Sequence, residues 1–164
     1  ATAGRGNDTA LLCRLVGDAG KVLAFDIQKE ALQSTEERLK EQQMLARCEL
    51  ILDSHVNIAN YAKPNSVHCI TFNLGWLPKG DHSIATKPET SILAMQKALP
   101  LLALGGIVTI CMYSGKDTGF EEKSRVLAYL KGLDSRQYVV LLHEFLNRPN
   151  CPPVVALVTK ISET

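Results

Sequence analysis

Apolar residues recur along this chain with two periods, and the switches between them mark out its elements. KVLAFDI at 21–27 is a short apolar run that ends in an acid, so it predicts a strand. Residues 28–45 carry Ala31, Leu32, Thr35, Leu39 and Leu45 near helical spacing with charges between them, which predicts an amphipathic helix. CELIL at 48–52 and SVHCITFNL at 66–74 predict further strands. Residues 88–106 open on a proline suited to the first helical position and close on a glycine pair. They predict a helix that Pro100 ends or kinks. GIVTICMY at 106–113 has the unbroken apolar character of a buried strand. Residues 121–133 predict another amphipathic helix. The last two apolar runs, QYVVLLHEFLN and PPVVALVTKI, are linked only by NRPNC, and so short a link predicts an antiparallel hairpin. At the start, ATAGRGNDTALLCRLVG reads as a glycine turn feeding a helix from Asp8 or Thr9 to about Val16. Such turns usually follow a strand. The alternation predicts one α/β domain, a sheet with helices on both faces.

Composition narrows the class. The 164 residues are 46% hydrophobic and 21% charged, an ordinary globular balance for one domain. The formal charge of +1 excludes a general polycation, so any nucleic-acid contact needs a local patch. The five cysteines form no CxxC pair, which predicts a reducing compartment, no disulfide framework and no metal site. Cys69 and Cys111 lie in apolar runs, where a thiol packs as a small hydrophobe. No signal peptide or run of about 18 apolar residues stands out, so nothing suggests a membrane partner. Cytoplasm, or a plastid or mitochondrial matrix reached with a removed transit peptide, fits this.

Four stretches carry candidate chemistry. Gly4, Gly6, Asn7 and Asp8 form a turn whose glycines let backbone approach a ligand at a helix N-terminus. A plain tight turn is the alternative, and Thr9 departs from the dinucleotide fingerprint. Asp26, twenty residues beyond Gly6, can accept both hydroxyls of a ribose or cap the helix from Gln28. Asp53, Ser54 and His55 end the next strand and can read an adenine edge or simply cap the following turn. FNLGWLPKGD at 72–81 places Asn73 where an apolar strand ends. Its amide oxygen and a nearby backbone carbonyl can accept hydrogen bonds from an amine and aim its lone pair at an electrophilic methyl group. Trp76 can stack a base or be core. Lys79, His82 and Lys87 can meet phosphates or be a solvated loop.

Together these residues resemble a class I S-adenosylmethionine-dependent methyltransferase. ATAGRGNDT, AFDIQ, ILDSH, FNLGWLP, TKPET and NRPNCPP, in that order, more closely resemble the MnmM (YtqB) family of tRNA wobble-uridine methyltransferases. The resemblance spans nearly the whole chain. It implies a Rossmann-like sheet with a C-terminal antiparallel hairpin and S-adenosyl-L-methionine as cofactor. The implied reaction is methylation of the aminomethyl nitrogen of 5-aminomethyl-(2-thio)uridine at wobble position 34, on the tRNA anticodon stem-loop. Carried over, it implies that Gly4, Gly6, Asn7 and Asp8 form the methionine-side loop and that Asp26 holds the ribose with Gln28 beside it. Asp53, Ser54 and His55 would surround adenine. Asn73, Leu74 and Gly75 take the place of the Asp/Asn-Pro-Pro-aromatic motif of amine methyltransferases, with Leu and Gly in place of its prolines. TKPET, holding Lys87 and Glu89, would lie near the substrate. LNRPNCPP would sit at the substrate mouth, where Arg148 and Asn150 can touch RNA or be an exposed turn. YSGKD at 113–117 has the same two readings.

The family also implies a hydrophobic strand leading into Ala-Thr-Ala-Gly, placed mid-sheet beside the strand ending at Asp26. Its absence from the given chain predicts an N-terminally truncated domain, with KVLAF and HCITF short of a partner or borrowing one in a homodimer. Two rival functions stand beside the tRNA reading: methylation of rRNA or a small amine, and a non-catalytic or NAD-type nucleotide-binding module.

Overall fold

Residues 2–75, 86–114 and 119–163 of the chain are described by a computed structural model. The chain divides into two units, Ala1–His55 and Val56–Thr164. In the first unit, α1 (Asn7–Val16) precedes β1 (Val22–Asp26), α2 (Lys29–Glu41) and β2 (Cys48–Leu52). β1 and β2 pair in parallel, in register from Val22 opposite Cys48 to Asp26 opposite Leu52. A parallel pair needs a crossover, and α2 supplies it. Ala31, Leu32, Thr35 and Leu39 are all buried, as the helical spacing predicts. One core cluster holds Ala10, Cys13, Val22, Leu39 and Met44, and another holds Ala3, Ala24 and Leu32. α2 is shorter than the predicted 28–45. Gln43 adopts a left-handed φ of 55°, and Met44 N–H turns back to the Leu39 carbonyl at 2.9 Å, which ends the helix. Leu45 falls in the short 3-10 turn that follows.

The second unit carries β3 (Val67–Leu74), α3 (Pro88–Ala98), β4 (Leu102–Met112), α4 (Phe120–Lys131), β5 (Tyr138–His143) and β6 (Val154–Lys160). Its sheet has the order β3-β4-β6-β5. β3 and β4 are parallel, and β6 runs antiparallel to both β4 and β5, which gives the predicted hairpin. Among the described residues, β1 and β3 each have one strand neighbour, in separate sheets.

Alternate residues of β6, from Val154 through Ala156 and Val158 to Lys160, are buried. The Lys160 ammonium is satisfied by the Leu102 carbonyl at 3.1 Å and by Asn65 Oδ1. Pro100 does end α3, but the strand after it begins at Leu102, well before the predicted 106. Val67 lies opposite Leu102 and Cys69 opposite Ile107, so β4 bulges between them. Gly105 takes φ 76° there, and a Cβ on Gly106 would meet the Val67 carbonyl oxygen at 2.9 Å. The glycine pair therefore makes a bulge, not a helix end.

Cys69 corrects an expectation. It is exposed, and Cys111 is only half-buried. Period two explains this: Ile70, Phe72 and Leu74 take the buried face of β3, which puts Cys69 on the other one.

Candidate functional site

Asp26 ends β1 beside Leu52, so Asp26 and Asp53 stand at the same, C-terminal, end of the first unit's two parallel strands. The Gly4 amide donates to Asp26 Oδ2 at 3.0 Å, and the Gln28 amide donates to Oδ1 at 3.0 Å. One carboxylate thus fixes both the turn before α1 and the approach to α2. Gln28 itself, not Asp26, is the residue that flanks the start of α2. Asp26 acts two residues earlier, through an Asx-type bond. An ionised carboxylate offers about four acceptor positions, so two backbone donors leave capacity on both oxygens for the hydroxyls of a ribose. That donor-and-acceptor arithmetic fits the nucleoside cofactor.

Gly6 is fixed by packing. Its φ is 76°, and an added Cβ would stand 2.8 Å from the Thr35 Cα on α2. The Arg38 Nε donates to the Arg5 carbonyl at 2.9 Å, a second tie between the loop and α2. Asn7 and Asp8 are exposed in the first turn of α1, and Gly6 gives that turn no side-chain cap. Asp53, Ser54 and His55 are half-buried, with Asp53 Oδ1 accepting from the Ser54 amide at 2.7 Å. Residues Gly4 to Asp8, Asp26 and Gln28 are therefore brought together, and Asp53 leaves from the neighbouring strand end.

In the second unit, β3 and β4 end side by side, Asn73 opposite Cys111 and Leu74 opposite Met112. Asn73 is half-buried between the fully buried Phe72 and Leu74. The Leu74 carbonyl accepts from the Tyr113 amide at 3.3 Å, which leaves its second lone pair. Gly75 follows with φ 136°. Its amide donates to Thr86 Oγ1 at 2.7 Å, and its carbonyl accepts from the Thr86 amide at 3.0 Å. Thr86 Oγ1 donates on to Glu122 Oε2 at 2.8 Å, and Ser91 Oγ donates to Glu122 Oε1 at 2.7 Å. Ser91 is fully buried and Glu122 is 6% exposed.

Ser91 and Glu122 are absent from the sequence-based candidates, and Thr86 enters there only as the first residue of TKPET. A signal existed: Glu122 shares helical spacing with buried Val126 and Leu130, so a carboxylate stands on the apolar stripe of α4. Glu89 spends its carboxylate on Arg125 of α4. Its own backbone N–H, and then the Arg125 guanidinium, hold that carboxyl below its ordinary range. Lys87 is exposed at the N-cap of α3. Arg148 and Asn150 are exposed in the β5–β6 loop, where Asn150 adopts φ 65°. Trp76, Lys79 and His82 lie outside the described residues, as do residues 115–117 of YSGKD.

The fold is that of the class I S-adenosylmethionine-dependent methyltransferases. Within that class, the chain belongs to the family described as "Putative rRNA methylase", whose model matches residues 22–159. It is similar to the crystal structure of a "putative rRNA-methylase" from Clostridium thermocellum, with 48% identity and a TM-score of 0.95 over 98% of this chain and 86% of that one. It is also similar to a "putative methyltransferase" from Streptococcus mutans solved in complex with SAH. That match has 37% identity and a TM-score of 0.87, over 98% of this chain and 86% of the other. A curated relative, the chloroplastic tRNA (mnm(5)s(2)U34)-methyltransferase of Arabidopsis thaliana, is 34% identical over 94% of this chain. The chain spans 60% of that relative's length.

Proposed function

We propose that this chain is an S-adenosylmethionine-dependent methyltransferase that acts on the aminomethyl nitrogen of 5-aminomethyl-(2-thio)uridine at the tRNA wobble position. The observation that carries this reading is the 34% identity, over nearly the whole chain, to a relative named for modification of that nucleoside. The site chemistry supports it. The cofactor, when bound, supplies an activated methyl group and a good leaving group, so the protein's share is binding and alignment. Asp26, already holding the Gly4 and Gln28 amides, accepts the ribose hydroxyls. Asp53 and Ser54 serve the adenine side. Asn73 and the Leu74 carbonyl accept the amine's N–H groups, which directs its lone pair. The amine must be neutral to attack, and no enzyme nucleophile is required. Exposed Lys87 and Arg148 contribute phosphate contacts.

The test is direct. The purified chain is incubated with S-adenosylmethionine and tRNA bearing 5-aminomethyl-2-thiouridine, and the digested nucleosides are analysed by mass. The expected product is the methylaminomethyl nucleoside. No transfer by folded protein that binds the cofactor in calorimetry would overturn the reading. The family description favours a second substrate, rRNA. Product on rRNA alone would establish that instead. Tight binding of NAD with none of S-adenosylmethionine would make the chain a nucleotide-binding module of another kind.

A further inference from the structure

We propose that Glu122 is a positioning residue for the reaction, acting through Thr86 on the Leu74–Gly75 peptide. This inference rests on the proposed role of the Leu74 carbonyl as an acceptor for the substrate amine.

The peptide bond is planar and trans, so the Gly75 N–H and the Leu74 C=O share one rigid plane and point in opposite directions. Holding the N–H therefore aims the carbonyl. Thr86 holds it, accepting the Gly75 N–H at 2.7 Å, and its own amide returns to the Gly75 carbonyl at 3.0 Å. A threonine hydroxyl has a single proton. For Thr86 Oγ1 to accept from Gly75, that proton must point elsewhere; the Gly75 carbonyl stands at 3.4 Å, and Glu122 Oε2, at 2.8 Å, is the nearer acceptor. An ionised carboxylate cannot donate, so it enforces this direction. The second oxygen is occupied by Ser91 Oγ at 2.7 Å, which keeps the carboxylate from turning away.

Packing alone does not account for Glu122. It stands on the buried stripe of α4 with Val126 and Leu130, where an apolar side chain would avoid the cost of desolvating a charge. The two hydroxyl donors offset that cost and give the network one polarity. A chain of donors running from the Gly75 N–H to a carboxylate also polarises the peptide, which makes the Leu74 oxygen a stronger acceptor.

The experiment compares Thr86→Val, Glu122→Gln and Thr86→Ser in the full chain, by amide NMR, calorimetry with S-adenosylmethionine, and steady-state methylation of tRNA. Thr86→Val keeps the shape and loses the hydroxyl; Thr86→Ser keeps the hydroxyl. In Thr86→Val and Glu122→Gln the Gly75 amide should move upfield and exchange faster. kcat should fall roughly ten- to a hundredfold, the scale of a misaligned reacting group, with KM for tRNA and cofactor affinity little changed. Thr86→Ser should restore both the amide signal and kcat. An unmoved Gly75 amide in both variants would overturn the clamp, whatever the activity. A moved amide with unchanged kcat would reduce Glu122 to a structural role and overturn its positioning role. Failure of the wild-type chain to methylate tRNA would instead reject the proposed reaction, and with it the reaction role of Glu122, while the amide measurements still decided the clamp.

Discussion

The Gly4 amide donates to Asp26 Oδ2 at 3.0 Å, so the carboxylate assigned to the ribose also secures the turn assigned to the rest of the cofactor. The opposite oxygen takes the Gln28 amide. Substituting Asp26 should therefore have two effects together. Asp26→Ala is expected to weaken S-adenosylmethionine by tenfold or more, since a hydrogen bond to a charged group contributes roughly 1.5–3 kcal/mol. It should also lower the melting temperature, because two backbone donors lose their acceptor. Asp26→Asn keeps one acceptor oxygen and should fall between. Calorimetry and thermal melts check both effects. Unchanged cofactor affinity in a folded variant would sink the ribose role.

Gly6 and Gly105 form a matched pair. Both have φ 76°, but a Cβ on Gly6 would stand 2.8 Å from the Thr35 Cα, and one on Gly105 meets nothing within 4 Å. Gly105→Ala should cost only the left-handed backbone penalty, roughly 1–2 kcal/mol. Gly6→Ala should cost clearly more, since the obstructing atom is backbone and cannot rotate aside. Trimming Thr35 to alanine should not rescue it, for the same reason. Urea denaturation of the variants measures the difference. Equal losses would show that backbone conformation alone makes these positions glycine.

The helical period was legible on α2, where charges separate the buried positions, and the short apolar run of β1 was legible as a strand. Thr35 and Leu39 on α2, and the run ending at Asp26, behave as their spacing dictates. The β5–β6 hairpin was legible from the shortness of its connection. Boundaries set by single backbone conformations were not. Nothing in the sequence marks Gln43 as left-handed, and Gly105-Gly106 fits a helix end as well as a bulge. On the site, the strand-end acids and Asn73 could be read because sequence spacing put them after apolar runs. Thr86, Ser91 and Glu122 could not be assembled that way, since their contacts join residues more than thirty positions apart. Cys69 was misjudged because a continuous apolar run hides which face each residue takes.

Cys13 and Cys48 should be inert thiols. Burial raises both, and burial together with the neighbouring Cys13 pushes Cys48 up from an ordinary 9.0 to about 12. The thiolate is the reactive form, so at pH 8 both should resist alkylation in the native protein. Exposed Cys151 should be labelled first. A folded-state value above the unfolded one favours folding while both states keep the proton. The Cys48 contribution is therefore complete below pH 9 and is lost as pH rises from there toward 12. Mass mapping of alkylated peptides against pH checks the order. Labelling of Cys48 as fast as Cys151 at pH 8 would contradict it.

Arg148 tests the RNA surface separately from the chemistry. It is exposed in the loop between β5 and β6, on the chain that returns antiparallel from the sheet edge. If it contacts a phosphate, it supplies affinity by releasing condensed counterions rather than by reading a base. Arg148→Ala should then weaken tRNA binding by a similar factor for different tRNAs. The slope of log affinity against log salt should drop by about one. Calorimetric affinity for S-adenosylmethionine should stay the same, because Asp26 and the glycine turn are untouched. Arg148→Lys should keep most of the slope, since a point charge is enough for a phosphate contact, though not for bidentate recognition. Binding isotherms across a salt series separate these cases. An unchanged slope in Arg148→Ala would remove this loop from the RNA interface and leave Lys87 as the described basic residue to test next.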